Sequence, residues 1–185
     1  MTRIVAIGGS DAGISAALRA RELDPSCDFT VVVADGYPNF SICGIPYYVS
    51  GEVPHWRNLA HRTTADLEAT GMRLRLDTLV AAINPDAHEL TLSTADGGEE
   101  TLAYDALIVG TGALPIRPPI EGLNGPGALG PGDGVHLLHS MGDTFALMQT
   151  LEQGDLERAV IVGAGYIGLE MAEGLTARGL AVTQL

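Results

Sequence analysis

An unbroken apolar run, Ile4, Val5, Ala6 and Ile7, opens the chain and stops at Gly8-Gly9. Runs without polar interruption mark strands covered on both faces, as in parallel sheets. Beyond the glycines, Ile14, Ala17 and Leu18 recur at helical spacing, and Asp24-Pro25 stops that helix. A second strand, "DFTVVVAD", ends on Asp35. "TTADLEATG" predicts a short helix capped near Thr63 and ended at Gly71, and "MRLRLDT" alternates like a strand. Residues 79–104 read as short strands joined by turns at Asn84-Pro85-Asp86 and Asp96-Gly97-Gly98, the pattern of an antiparallel meander. Another buried strand, Ala106 to Val109, runs into Gly110-Thr111-Gly112. Glycine and proline then dominate Glu121 to Gly134, as in a hinge or linker. A helix follows, with Phe145, Met148 and Leu151 on one packing stripe and Gly154 as its stop. The pattern then returns to its start: a strand from Ala159 to Val162, a glycine turn, a helix carrying Ile167, Met171 and Leu175, a stop at Gly179, and a new strand from Ala181.

The two strand–turn–helix units carry related glycine spacings. The first is Gly8-x-Ser10-x-x-Gly13, with serine where a middle glycine is usual; the second is an unmodified Gly163-x-Gly165-x-x-Gly168. Such turns let backbone approach a pyrophosphate, whose charge the helix N–H groups and macrodipole attract. Asp35 lies about 22 positions after Gly13, where dinucleotide folds place an acid on ribose hydroxyls. One such pattern is weak evidence; two in one chain predict two dinucleotides. Gly110-Thr111-Gly112, at the carboxyl end of a strand, reads either as a third ligand contact or as a simple loop.

Composition narrows the classes. The net charge of −13 argues against a nucleic-acid partner, and all ten cations are arginine. No apolar run approaches the roughly 18 residues of a membrane span. Cys27 and Cys43 are too few for a disulfide framework, which sets a reducing cytoplasm as the expected location. The five histidines show no metal-ligand spacing, and His136 and His139 are expected to be solvated. Tyr47, Tyr48 and Trp56 are expected in the core. From residue type alone, Cys43 is either a redox sulfur or a small apolar filler; Cys27, before a strand, is read as filler.

"IGGSDAGISAA", "NFSICGIPYY", "YDALIVGTGALP" and "VIVGAGYIGLEMAE", in this order, resemble the FAD- and NAD(P)H-dependent pyridine nucleotide–disulfide oxidoreductases. The likeness is greatest to the single-cysteine branch of coenzyme A disulfide reductases, NADH oxidases and peroxidases, and persulfide reductases. It implies an α/β fold: a Rossmann-like FAD-binding domain with a small antiparallel β-meander insertion over residues 1–120, a linker with a helix over 121–158, and the start of a second, NAD(P)-binding Rossmann-like domain over 159–185. It also implies that Gly8, Ser10, Gly13 and Asp35 hold the adenosine and pyrophosphate of FAD, with Thr111 and Gly112 approaching it. Gly163, Gly165 and Gly168 would receive the nicotinamide cofactor's pyrophosphate, and Glu170 would lie near the nicotinamide. Cys43 matches the redox cysteine beside the flavin ring.

Three departures refine the branch. Dithiol relatives place a second cysteine five residues after the first; here that position is Tyr48. Oxidase and peroxidase members usually carry a histidine where Asp11 stands. The polar residue usual before the cysteine is Ile42 here. The resemblance thus implies reduction of a small disulfide or persulfide, such as coenzyme A disulfide, by a Cys43 thiolate near a helix start that tolerates Pro46. The full-length enzyme is expected to be a homodimer. Because the last strand ends at Leu185, the chain is expected to be the N-terminal portion of a longer enzyme. The alternatives are a non-catalytic remnant that at most binds FAD or an adenine nucleotide, or an NADH oxidase or peroxidase in full-length form.

Overall fold

Alternation within the apolar runs decides which layer each residue joins. The computed structural model describes all residues, Met1–Leu185, and its contacts divide them into two units: Met1–Phe40 with Ala60–Ala113, and Ser41–Leu59 with Leu114–Leu185.

In the first unit, β1 (Arg3–Ile7), β2 (Asp28–Val32), β3 (Arg73–Arg75) and β7 (Ala106–Val109) form a sheet in the order β3-β2-β1-β7. Every pairing in it is parallel. Ala6, Phe29, Val31 and Val33 pack on one side with Ile14 and Ala17 of helix α1 (Asp11–Leu23) and Leu67 of α3 (Thr64–Ala69). Val5, Ile7 and Val32 alternate to the other side and pack with Leu90, Leu92 and Tyr104. These last residues come from the antiparallel meander β4 (Thr78–Asn84), β5 (Glu89–Thr94) and β6 (Glu99–Ala103) or its exit. Covering of both faces is therefore as expected, one layer being helical and the other a second sheet. The expected cap at Thr63 is a full capping box: Thr63 Oγ1 accepts from Asp66 N at 3.1 Å and the Asp66 carboxylate accepts from Thr63 N at 2.9 Å.

In the second unit, β8 (Arg158–Ile161) and β9 (Ala181–Gln184) pair in parallel around α5 (Tyr166–Ala177). Helix α4 (Met141–Gln153) starts at a capping box formed by Ser140 and Asp143. Residues 41–59, which contain α2 (Ile45–Ser50), group with this unit, and the division in the later chain falls at Ala113/Leu114. Helix α2 packs on α5 where Gly174 is buried; a Cβ there would meet Pro46 O at 3.1 Å. Arg178, just past α5, donates from Nε to Val49 O and from Nη2 to Met148 Sδ at 3.6 Å. These contacts join segments far apart in sequence, which no local pattern announces.

Candidate functional site

At the carboxyl edge of the parallel sheet, the turns after β1 and β7 lie against each other. Gly8 N donates to Val32 O at 2.8 Å and Gly110 N to Ile7 O at 2.8 Å, so the ladder continues into both turns. Gly8 has φ +107, and a Cβ on it would lie 2.0 Å from Gly110 O. A Cβ on Gly13 would lie 2.1 Å from Gly8 O. Strand, turn and helix therefore meet backbone to backbone, with no room for a side chain. Ser10 is the N-cap of α1, yet its side chain makes no capping hydrogen bond and is exposed. The first intrahelical bond is Ile14 N to Ser10 O at 3.1 Å, so the amides of Asp11, Ala12 and Gly13 have no helical partner. They supply the donor set for an anion.

Asp35 follows the adjacent strand and is half-buried. Its Oδ1 accepts from Tyr37 N at 2.9 Å, and its carbonyl accepts from Asp77 N at 3.1 Å. Thr111 and Gly112 are exposed immediately after Gly110. The first unit thus gathers Gly8, Ser10, Gly13, Asp35, Thr111 and Gly112 at one edge of one sheet.

The second unit repeats the turn. Gly163 has φ +126, and a Cβ on Gly168 would lie 2.1 Å from Gly163 O, the same close approach as between Gly13 and Gly8. Gly165 differs: with φ −78 and ψ 179 and no atom within 4 Å of where a Cβ would stand, the protein itself does not require glycine there. Ser10 holds the matching place with φ −85 and ψ −172. The serine that breaks the first glycine pattern is thus accepted by the fold, and the middle position of both turns is open: Ser10 is exposed and Gly165 has no neighbour where a Cβ would stand. This is the observation by which the residues fit dinucleotide phosphates. Glu170 lies half-buried on α5.

Cys43 also belongs to the second unit. It sits in a single 3-10 turn, Ile42–Gly44, that leads directly into α2 with Pro46 in its first turn. Ser41 N donates to Leu59 O at 2.7 Å, which ties the turn down. Cys43 is exposed, whereas Cys27 is buried and only 3% accessible in the first unit's interior. Core filling therefore describes Cys27 and not Cys43.

Several expectations need correction. His136 is half-buried, with its ring Nε2 2.9 Å from Thr150 Oγ1, and burial pushes its pKa below the ordinary value. Tyr47 is 48% exposed instead of being in the core. Trp56 is half-buried, packs edge-on against Phe145 at 5.3 Å and carries the Arg57 guanidinium 4.3 Å from its ring centre.

Asn39 is the residue that sequence reasoning passed over. It is 2% exposed and has φ 57, a left-handed backbone. Its only signal in the chain is its residue type, since asparagine tolerates that conformation better than most. Gln184 was missed likewise; its Nε2 donates to Gly163 O at 2.9 Å. No group of three or more His, Cys, Asp or Glu is placed to hold a metal ion, and no helix is long and apolar enough to cross a membrane.

Residues 2–185 match the family described as pyridine nucleotide-disulphide oxidoreductase. The chain is 35% identical over 182 residues to an NAD(P)H sulfur oxidoreductase (CoA-dependent) of Pyrococcus abyssi, covering 98% of this chain and 39% of that protein. It is 33% identical over 187 residues to a coenzyme A disulfide reductase of Staphylococcus haemolyticus, covering 99% of this chain. Among solved structures, an NAD-dependent persulfide reductase from A. fulgidus superposes with a TM-score of 0.88 at 35% identity, covering 98% of this chain and 33% of that one. Reduced CoADR-RHD of Bacillus anthracis superposes with a TM-score of 0.92 at 29% identity, covering 99% and 32%. The chain spans about two-fifths of the length of the curated relatives it matches (39% of the first).

Proposed function

The chain belongs to the pyridine nucleotide–disulphide oxidoreductase family, and from that membership we propose that it carries the FAD-binding and the first NAD(P)-binding elements of a flavin-dependent oxidoreductase. Its substrate in this reading is a small disulfide or persulfide of the coenzyme A kind, reduced through Cys43. Residues 1–120 serve FAD, and residues 159–185 begin the nicotinamide site. The observation that carries the reading is the repeated turn: Gly13 against Gly8 and Gly168 against Gly163, each leaving only 2.1 Å for a Cβ.

In the first turn, Ser10 and the free amides of α1 hold pyrophosphate, and Asp35 accepts from ribose hydroxyls. In the second, the amides beyond Gly165 do the same for NAD(P)H. Bound FAD supplies two-electron transfer between nicotinamide and sulfur. The Cys43 thiolate attacks one sulfur of the substrate disulfide, forming a Cys43–S–S–R bond and expelling the other sulfur as a thiolate. Cleavage of that bond, for which the bound cofactors would supply the two electrons, would return Cys43 to a thiolate and release the second thiol. The relatives' names support this substrate class. Asp11, in place of a histidine, favours sulfur over oxygen or peroxide. The complete protein acts as a homodimer in this reading.

The test is optical. Purified protein incubated with FAD acquires flavin absorption that bleaches when NADH or NADPH is added without oxygen. In the complete protein, Cys43→Ser keeps the flavin bands and loses coenzyme A disulfide reduction. Protein that takes up no flavin, or a serine variant that still reduces the disulfide, overturns the reading.

A further inference from the structure

We propose that Asn39 is a positioning residue that locks Asp11 and the Gly8–Gly13 turn into the phosphate-receiving conformation, with Arg62 fixing the orientation of its amide. This rests on the flavin reading of that turn. Asparagine accepts the left-handed backbone of φ 57 at less cost than most residues, and here its neighbours hold it there. Here all four polar groups of Asn39 are engaged, each by a different residue. Its N–H donates to Gly9 O at 2.7 Å, and its carbonyl accepts from His61 N at 2.9 Å. Its side-chain Nδ2 donates to Asp11 Oδ1 at 3.2 Å, and its Oδ1 accepts from Arg62 Nη1 at a long 3.4 Å.

The amide has one possible orientation. A carboxylate only accepts and a guanidinium only donates, so Nδ2 must face Asp11 and Oδ1 must face Arg62. The electrostatic problem is specific to this chain. Asp11 is the first residue of α1, so its negative charge stands in the same turn as the expected pyrophosphate. The macrodipole favours either anion there, but two like charges repel. Asn39 occupies one oxygen of the Asp11 carboxylate and fixes where it points, and Arg62 brings a compensating positive charge to the same amide. The bond from Asn39 N to Gly9 O holds the peptide that precedes Ser10, so the α1 amides stay turned outward.

A partner exchange tests this. Asn39→Asp keeps a residue type that tolerates the left-handed backbone but sets a second carboxylate against Asp11. Asp11→Asn, added to it, rebuilds an amide–carboxylate bond with donor and acceptor exchanged. FAD affinity is measured by fluorescence quenching, and hydrogen exchange of the amides of residues 9–14 is measured without flavin. N39D is expected to weaken FAD binding about tenfold or more, the scale of losing a charge-assisted hydrogen bond. It should also speed exchange in the turn, and N39D/D11N should recover most of both. Asn39→Gly, which keeps the backbone conformation without the side chain, should fall between. FAD affinity and exchange in N39D within about twofold of wild type, or a double variant no better than N39D, overturns the proposal. If the unsubstituted protein takes up no FAD, the flavin reading fails on its own, and exchange in the turn still decides whether Asn39 holds it.

Discussion

Replacing Gly165 and Gly168 by alanine, one at a time, separates what the fold needs from what a ligand needs. The Gly168 Cβ would sit 2.1 Å from Gly163 O and 3.0 Å from Gln184 Nε2. Ordinary contact needs about 3.4 Å or more, so the helix start must retreat from the turn by over about 1 Å. Met171 and Leu175 of α5 are each only 6% exposed and resist that shift. Overpacking of this kind costs about 1–3 kcal/mol, and the obstacle here is backbone, which places it at the upper end. The better helix propensity of alanine offsets up to about 1 kcal/mol. A net loss of about 1–2 kcal/mol lowers the Tm of a chain this size by roughly 2–8 °C. At Gly165 no atom lies within 4 Å, and φ is −78, so alanine is accommodated. A poorer N-cap and a stiffer unfolded chain nearly cancel, leaving a change within about 0.5 kcal/mol. Circular dichroism melts read the fold, and NADH titration followed by fluorescence reads the ligand. G168A should lose stability; G165A should melt like wild type and bind NADH more weakly, because its methyl would fill the space that the proposed site leaves for a pyrophosphate. Equal melting of the two variants, or unchanged NADH affinity in G165A, refutes the reasoning.

Three further outcomes follow from the side-chain contacts. The Arg3 guanidinium, hydrogen-bonded to Asp105 at 2.7 Å, lowers that carboxyl to about 2. Its stabilisation is complete above the unfolded carboxyl's pKa and is lost as pH falls through about 2. The Tm gap between wild type and Asp105→Asn should therefore close between about pH 4 and pH 2; a gap that persists at the acid end contradicts the pairing. Burial holds His136 below its ordinary pKa, so the unfolded chain binds the proton more readily and the contribution of neutral His136 fades as pH drops below about 6.5. An NMR titration of the His136 ring with its midpoint above the free-histidine value would reverse that sign. Thr63→Ala removes the α3 cap and should cost about 1 kcal/mol in urea melts; an unchanged midpoint would show that Asp66 and the helix do not depend on it.

Much of this protein is written locally. The run Ile4–Ile7, the glycine turns, the caps at Thr63 and Ser140 and the meander's turns each act over a few residues, where steric limits and hydrogen-bond geometry leave few choices. Even the division of Val5 and Ile7 from Ala6 between two layers follows from the two-residue period of a strand. Tertiary structure decided what depends on neighbours distant in the chain. Serine at position 10 and glycine at 165 look unequal in a motif, but the folded turns give them one backbone conformation. Cys27 and Cys43 are the same residue type, yet one is enclosed by the first unit's interior and the other stands exposed on a short turn tied to Leu59. Asn39 takes its left-handed backbone and its four hydrogen bonds from Gly9, Asp11, His61 and Arg62, which only the closed chain brings to it. Short-range sterics act on a segment whether or not the rest has folded, whereas burial and the pairing of polar groups exist only once distant segments meet.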